Sequence, residues 1–421
     1  MSEDATTEQM VLGLPVHAGR AAALRELHAR PFSPIEPPRL IVELAFLTTN
    51  DGEADRAALA AAAKNAGAPA PAADARHHLM SLSGGLMRWE QHAEFSTWRW
   101  EGQPRDGGLG AFVRPQPAPG ELLAGVRVEI LTPGPDADRI LASFEPSSHC
   151  QATVDDGAAT IATDFRQDGD GLTRMLIVDR GLSPARLGAL AQRLIEIETY
   201  RTLALLALPL ARSLAASTDV MEAELTSIAA KMQEEGRNAS ILLDRLTGLA
   251  ARLEAETASG LYRFGASRAY YEIVEQRLAS IREESVKGYL GWSSFLRRRL
   301  SPAMRTCQSV ETRQENLSQK LSRATMLLRS WVEVDLQHQN SELLASMNRR
   351  AQLQLRLQQT VEGLSVAAVS YYVIGLVGYV LKGAEKAFGV SSTMATAAAV
   401  PIVLLAVWWT VRRIRLRHGE H

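Results

Sequence analysis

The sequence predicts an α+β cytoplasmic domain, followed by a long helical/coiled-coil stalk and a C-terminal two-helix transmembrane hairpin. Three observations lead there. β-Branched apolar runs separated by turn residues fill the first 182 residues, and apolar positions then recur at three and four over 183–362. Two long uncharged stretches close the chain, one at 363–381 and one at about 393–411, before a basic tail at 412–421. A chain of 421 residues has room for two or three such units.

Within the first segment, Arg20 to Arg30 reads as a short helix stopped by Pro31. Leu40 to Thr49 (LIVELAFLTT) has the β-branched, apolar character of a buried strand. An alanine-rich helix ends at Gly67, and a Pro/Ala linker occupies 68–73. The Gly84-Gly85 pair and the alternation after it predict a hairpin and further strands. VRVEIL, starting at Val126, is another strand. ATIATDF and LTRMLIVD bracket a turn at Gln167-Asp-Gly-Asp-Gly171 as an antiparallel pair. That turn lacks the twelve-residue calcium-loop pattern and its terminal glutamate, so a hairpin turn is expected there.

At Ser183-Pro184 a serine cap and a proline at the first helical position open the helical part. Leu225, Ile228, Met232, Leu242, Leu246, Leu249 and Leu253 keep the helical period. Pro209 is expected to kink the first helix, Gly260 to break a later one, and Gly288 and Gly291 to mark a turn. After Ser301-Pro302 no proline or glycine occurs until Gly363. A helix running unbroken from there through the first span would be about 120 Å long. Alone, it would leave its apolar stripe in water, so it must pack on earlier helices or on other subunits, and a homo-oligomer is expected.

The first span, GLSVAAVSYYVIGLVGYVL, carries no charge and reaches about 28 Å at the helical rise, close to the bilayer hydrocarbon thickness. The second places Trp408 and Trp409 where an aromatic belt would sit. Arg412, Arg413, Arg415 and Arg417 follow it, and Arg349, Arg350 and Arg356 precede the first span. The short connector from Lys382 to Lys386 is less basic, so both termini are expected in the cytoplasm, with the inner (plasma) membrane as location. The acidic N-terminus, MSEDATTEQMVLGLP, has no apolar signal region, in keeping with that orientation. The lipid bilayer is thus the first expected partner, beside a second copy and a cytoplasmic protein.

A formal net charge of −1 gives no footprint for nucleic-acid binding. Two cysteines, Cys150 and Cys307, without a C-x-x-C pair, exclude a disulfide framework and a cysteine-rich zinc site. Phosphate-binding, nucleophile-elbow and zinc-protease motifs are absent, so no catalytic residue and no cofactor is assigned. Polar residues gather at Glu26-Leu-His28-Ala-Arg30 and over 88–98. If the latter is one strand, Arg88, Glu90, His92, Glu94 and Ser96 share a face. Glu90, His92 and Glu94 there could hold a divalent metal or a polar partner, while a salt-bridged sheet face fits the same pattern. His77-His78 and His149-Cys150 read as surface loop pairs. In the first span Tyr371, Gly375, Gly378 and Lys382 fall on one helical face, which suits close helix packing or a pore lining.

ELHARPF at 26–32, RWEQHAEFSTWRW at 88–100 and RLQQTVEGLSVAAVSYYVIGLVGY at 356–379 together resemble an uncharacterised family of bacterial membrane-anchored proteins, known only as a domain of unknown function. The resemblance implies membrane anchoring and carries over no functional residue. His28, Arg30 and Arg88 stand in its motifs without a role. The architecture also resembles the CorA-type divalent-cation channels, homopentamers whose first span lines the pore. Their Gly-Met-Asn signature is missing, the corresponding place reading Tyr379-Val-Leu-Lys382. The expectation is a membrane-anchored oligomeric scaffold or sensor of unknown ligand. The alternative is a CorA-like homo-oligomeric cation channel, with an enzyme using the Glu90/His92/Glu94 stripe third.

Overall fold

The computed structural model describes residues 10–12, 14–17, 19–20, 33–48, 52–72, 75–82, 84–104, 118–234, 239–388 and 391–418. The chain divides into two compact units, one of residues 1–234 and 244–324, the other of 235–243 and 325–421. The first unit therefore extends well beyond residue 182, the end expected for the sheet domain. Helices that read as stalk supply part of its core. Beyond Arg20, the helix expected over 20–30 lies outside the described residues.

In the first unit, β1 (Met10–Val11) and β2 (Leu14–Pro15) form a small antiparallel pair. The main sheet is built from β3 (Arg39–Leu47), β4 (His77–Leu82), β5 (Gly85–Gln91), β6 (Phe95–Gly102), β7 (Glu121–Leu131), β8 (Cys150–Val154), β9 (Ala159–Gln167), β10 (Thr173–Asp179) and β11 (Glu284–Ser285). Their spatial order is β11-β8-β9-β10-β7-β3-β6-β5-β4. All neighbours are antiparallel except β10 and β7, which run parallel. A parallel pair needs a long connection, and the chain supplies it through α2 (Pro135–Ser143) and the β8–β9 hairpin.

Strand alternation sorts the core onto two faces. Val42, Leu44, Phe46, Met87, Trp89, Trp98 and Trp100 pack under α1 (Glu53–Ala66), the alanine-rich helix that ends at Gly67 in a left-handed cap (φ 64°). Leu176 and Val178 pack on that same face under Ile140 and Phe144 of the α2 region. The opposite face, with Ile41, Val126, Val128, Ile130, Met175 and Ile177, is covered by α3 (Pro184–Leu205), which Ser183 caps as expected. The 167–171 segment is a hairpin turn. Asp168 accepts from the backbone N–H of Asp170 and Leu172, and Arg127 lies 2.6 Å from its carboxylate.

The break expected near Pro209 falls between α3 and α4 (Ala207–Glu234). Proline has no N–H and its ring crowds the carbonyl four residues back, which here belongs to Leu205, the last residue of α3. No break occurs at Gly260. It lies inside α5 (Ala239–Ser280), where a Cβ would come within 2.9 Å of Phe264 and 3.2 Å of Leu214. Close packing against α4, rather than a turn, uses that glycine.

A turn at Gly288 (φ 94°) and Gly291 precedes α6 (Trp292–Phe388), so this helix starts ten residues before Pro302 rather than at it. Glu283 accepts from the N–H groups of Trp292 and Ser293 at 2.8 Å each, satisfying donors that a helix start leaves open. The predicted stripes on α4, α5 and the first part of α6 are buried at Leu225, Ile228, Leu246, Leu249, Leu253, Leu317 and Leu321.

The second unit holds the remainder of α6 and α7 (Ser392–His418). Its apolar residues are mostly exposed: Leu336, Leu343, Leu344, Met347, Leu357 and Leu364 on α6, and Ile402, Leu405 and Trp409 on α7. Gln359, Glu362, Gly363 and Val366 line one groove with Trp408, Val411 and Arg412, and a Cβ on Gly378 would lie 3.7 Å from Thr396. Those contacts run α6 and α7 side by side in opposite directions. Among the described residues, three helical stretches are long and apolar enough to cross a membrane: 184–232, 292–383 and 393–413. The first uses its apolar residues in the sheet-covering core, with Leu187, Leu194, Ile195 and Ile197 fully buried. In the best windows of the other two, only 6% and 0% of the residues are buried.

Candidate functional site

The polar pattern at 88–98 builds a buried charge network, arranged differently from the single strand the alternation suggests. β5 ends at Gln91 and β6 begins at Phe95, so 92–94 form the turn of a hairpin. The backbone N–H of His92 donates to the carbonyl of Phe95 at 2.8 Å to close it. Glu90, His92 and Glu94 therefore do not line one strand face. The turn also shifts the alternation by one, so that Arg88 and Glu90 stand beside Arg99 and Thr97 across the β5–β6 register.

This face of β3, β5 and β6 looks toward α3. Arg99 holds Glu43 through Nε and a terminal nitrogen, both at 2.7 Å, and also donates to Gln192. Gln192 donates to Glu196 at 2.7 Å, and Glu196 accepts from Arg277 of α5. Arg88 donates to Ser33 at 2.7 Å and lies 3.9 Å from Glu90, while Arg39 lies 3.9 Å from Glu101. Arginines and glutamates thus alternate, each charge beside an opposite one. That is the condition under which buried charges are tolerated. Burial raises the Glu43 carboxyl above its ordinary range, more than Arg99 lowers it, and burial raises Glu101 as well. Burial, with Arg99 nearby, lowers Arg88.

Between these groups lies a cleft of about 30 Å³, lined by Glu43, Glu90, His92, Thr97, Arg99 and Tyr200 among others. Such a space admits one or two waters and no organic substrate. Chemically, the arrangement can pass a proton between Glu43 and a water, and it clamps three strands to α3 and α5. Of the sequence-predicted trio, Glu90 and His92 border this cleft and Glu94 does not. His92 stacks on Phe95, with ring centroids 4.1 Å apart. Glu94 accepts from Arg263 at 3.0 and 2.7 Å and from Tyr270 at 2.7 Å, binding the hairpin turn to α5. Among the described residues no group of three or more His, Cys, Asp or Glu side chains is placed to hold a metal. His28 and Arg30 lie outside the described residues.

Other expectations are corrected. His149 and Cys150 are buried, not surface residues, because Cys150 opens β8 on its inward register. On the Tyr371, Gly375, Gly378 and Lys382 face, a Cβ on Gly378 would lie 3.7 Å from Thr396 of α7, a Cβ on Gly375 would meet nothing within 4 Å, and Tyr371 is 76% exposed.

Sequence reasoning also missed the carboxylate on the opposite sheet face. Asp55 of α1, fully buried, accepts from the indole N–H of Trp89 (2.9 Å), the Ser96 hydroxyl (2.8 Å) and the indole N–H of Trp98 (3.1 Å). Part of the signal was available: an acid in the first turn of an alanine-rich helix, which also carries Glu53, and tryptophans in two of the strands that follow.

A nine-stranded mixed sheet with helices on both faces, a clamped polar core and a long helix leading into exposed apolar helices defines an α+β protein with an extended helical part. The chain belongs to the family described as "Protein of unknown function (DUF3422)", whose model matches residues 15–418. No curated protein and no solved structure matches it, and the likeness to CorA-type channels is not shown.

Proposed function

We propose that the protein is a membrane-anchored homo-oligomer whose sheet domain, in the cytoplasm, serves as a scaffold or sensor. The observation that carries this reading is the unburied apolar surface of the C-terminal helices. Tyr372, Leu376, Tyr379 and Val380 on α6 and Ile402, Leu405 and Trp409 on α7 all stand open. Exposed apolar surface of that extent is costly in water and free of cost in lipid. Arginines after the second helix and before the first favour both ends on the cytoplasmic side. Arg412 and Arg413 lie over the rings of Trp408 and Trp409 at 5.1 and 5.2 Å, a pairing suited to the headgroup level.

The scaffold or sensor reading is favoured over an enzyme because the polar network around Glu43 and Arg99 is internally paired and its cleft has room only for water. The test is direct. The full chain, expressed in a Gram-negative bacterium, should pellet with membranes after an alkaline carbonate wash. A cysteine introduced at Glu420 should react with an impermeant maleimide only after the inner membrane is opened. A soluble full-length chain, or a tail labelled in intact spheroplasts, rules the reading out.

A further inference from the structure

A second cleft lies in the first unit and shares no lining residue with the cleft at Glu43. It occupies about 390 Å³, at the lower end of the range for small-molecule sites. Arg166 of β9, Arg201 of α3 and Arg299 of α6 converge on it, with Phe165, Phe295 and Ser148 in the wall. Asp164 also lines it.

The three arginines are held in different ways. Arg201 is fixed by Glu198 through two hydrogen bonds of 2.6 Å, which leaves the rest of its guanidinium directed elsewhere. Arg166 pairs with Glu145 at 3.0 Å, and both side chains are largely solvent-exposed, so this pair is weak and exchangeable. Arg299 lies 3.6 Å above the Phe295 ring and, among the described residues, has no carboxylate partner.

One further observation points to a ligand. Phe165 has a positive φ of 54°, a conformation that is a genuine outlier for a bulky side chain. It arises where the β9–β10 register slips between Thr163 and Gln167, and it stacks Phe165 on Phe295 at 5.0 Å.

We infer that this cleft binds a small phosphomonoester, its phosphate taken by Arg299 and Arg201, its organic part lying along Leu296 and Leu300. Glu145 and Glu198 pair with Arg166 and Arg201, so the charge open to a ligand is that of Arg299, and a phosphomonoester, which carries roughly −1.5 to −2 at neutral pH, is drawn to it more strongly than a carboxylate. The planar guanidinium fork suits the phosphate oxygens. The volume exceeds what a bare ion needs, which calls for the organic part.

The phosphate can come from a soluble ester or from a lipid head group, and calorimetric titration separates them. Detergent-purified full-length protein is titrated with inorganic phosphate, glycerol 3-phosphate and a water-soluble short-chain phosphatidic acid. At least one ester should bind more tightly than inorganic phosphate. Preference for the short-chain lipid assigns the source to a membrane, and preference for glycerol 3-phosphate to a metabolite. Arg299→Gln should weaken that ester about tenfold or more. Arg297→Gln, which alters a neighbouring arginine paired with Glu275, should leave it unchanged. Circular dichroism establishes that the variants are folded, which exposed Arg299 makes the expected result. Absence of binding by every probe, inorganic phosphate binding as tightly as both esters, or an equal loss in Arg297→Gln overturns the assignment. None of these outcomes bears on membrane anchoring, which is read separately.

Discussion

Asp55 is the residue with most at stake. Three donors end on its carboxylate in a space closed to water, and removing it leaves two indole N–H groups and a hydroxyl without acceptors. Each orphaned donor costs about 1–3 kcal/mol, so Asp55→Ala should lower unfolding stability by about 3 kcal/mol or more, seen as a lower urea midpoint. Burial raises the Asp55 carboxyl above its ordinary value of 3.8 despite those bonds. The folded state thus binds the proton more tightly than the unfolded chain. The stability this adds is complete below pH 3.8 and is lost as pH rises through the folded-state value. Asp55→Asn cannot ionise and escapes that loss. Its deficit relative to wild type should be largest in acid and shrink as pH rises. A deficit constant across pH would mean the carboxyl titrates normally. The two thiols make a second test. Burial pushes Cys150 up to about 12 and raises Cys307, so a disulfide reagent at pH 8 should modify neither until the chain is unfolded. What was legible at this scale was residue type: Arg88 and Glu90 were read on one strand face and do share it. Partner choice was hidden, because it depends on strands and helices distant in sequence. Glu94 pairs with Arg263 and Tyr270, which no local pattern could indicate.

Two elements meet at backbone contact where α3 crosses the segment before β3. A Cβ on Gly188 would sit 2.0 Å from the carbonyl oxygen of Ser33, a backbone atom that cannot swing aside. Gly188→Ala should therefore push α3 off that segment, break the Ile35 N–H bond to Pro184 and cost about 1–3 kcal/mol. Gly265→Ala in α5 is the matching control, since a Cβ there meets nothing within 4 Å and the change gains about 0.5–1 kcal/mol of helix propensity. Opposite shifts in melting temperature are the expected result, and a neutral Gly188→Ala would show that α3 does not approach so closely. β3, β7 and the β9–β10 pair were legible because each has the β-branched, alternating pattern bounded by turn residues. The β5–β6 turn was not, since His92-Ala-Glu94 contains no glycine, proline or asparagine and the polar alternation continues through it. Gly260 misled for the complementary reason: sequence records a glycine but not whether a neighbour needs the space.

For the whole molecule, the open question is what covers α6 beyond residue 325. Leu336, Leu343, Leu357 and Leu364 recur at multiples of seven along that helix, with Met347 and Val361 four residues after the second and third, and all are exposed in the single chain. A seven-residue apolar repeat is satisfied by another helix carrying the same repeat, and a second copy presents it in register. Arg350 interrupts the repeat where Leu343 and Leu357 predict a leucine. Such a break lowers affinity and fixes alignment, as polar residues at core positions of coiled coils do. Leu343→Lys combined with Leu357→Lys places like charges opposite one another in any parallel pairing. The double variant should shift the detergent-solubilised protein from oligomer to monomer in light scattering, while leaving it membrane-bound and the sheet domain's melting temperature unchanged. The separation of readouts decides the matter. An oligomer that persists places self-association elsewhere, in the exposed faces around Tyr372 and Trp409. Loss of membrane attachment would instead tie the repeat to the lipid rather than to a second copy.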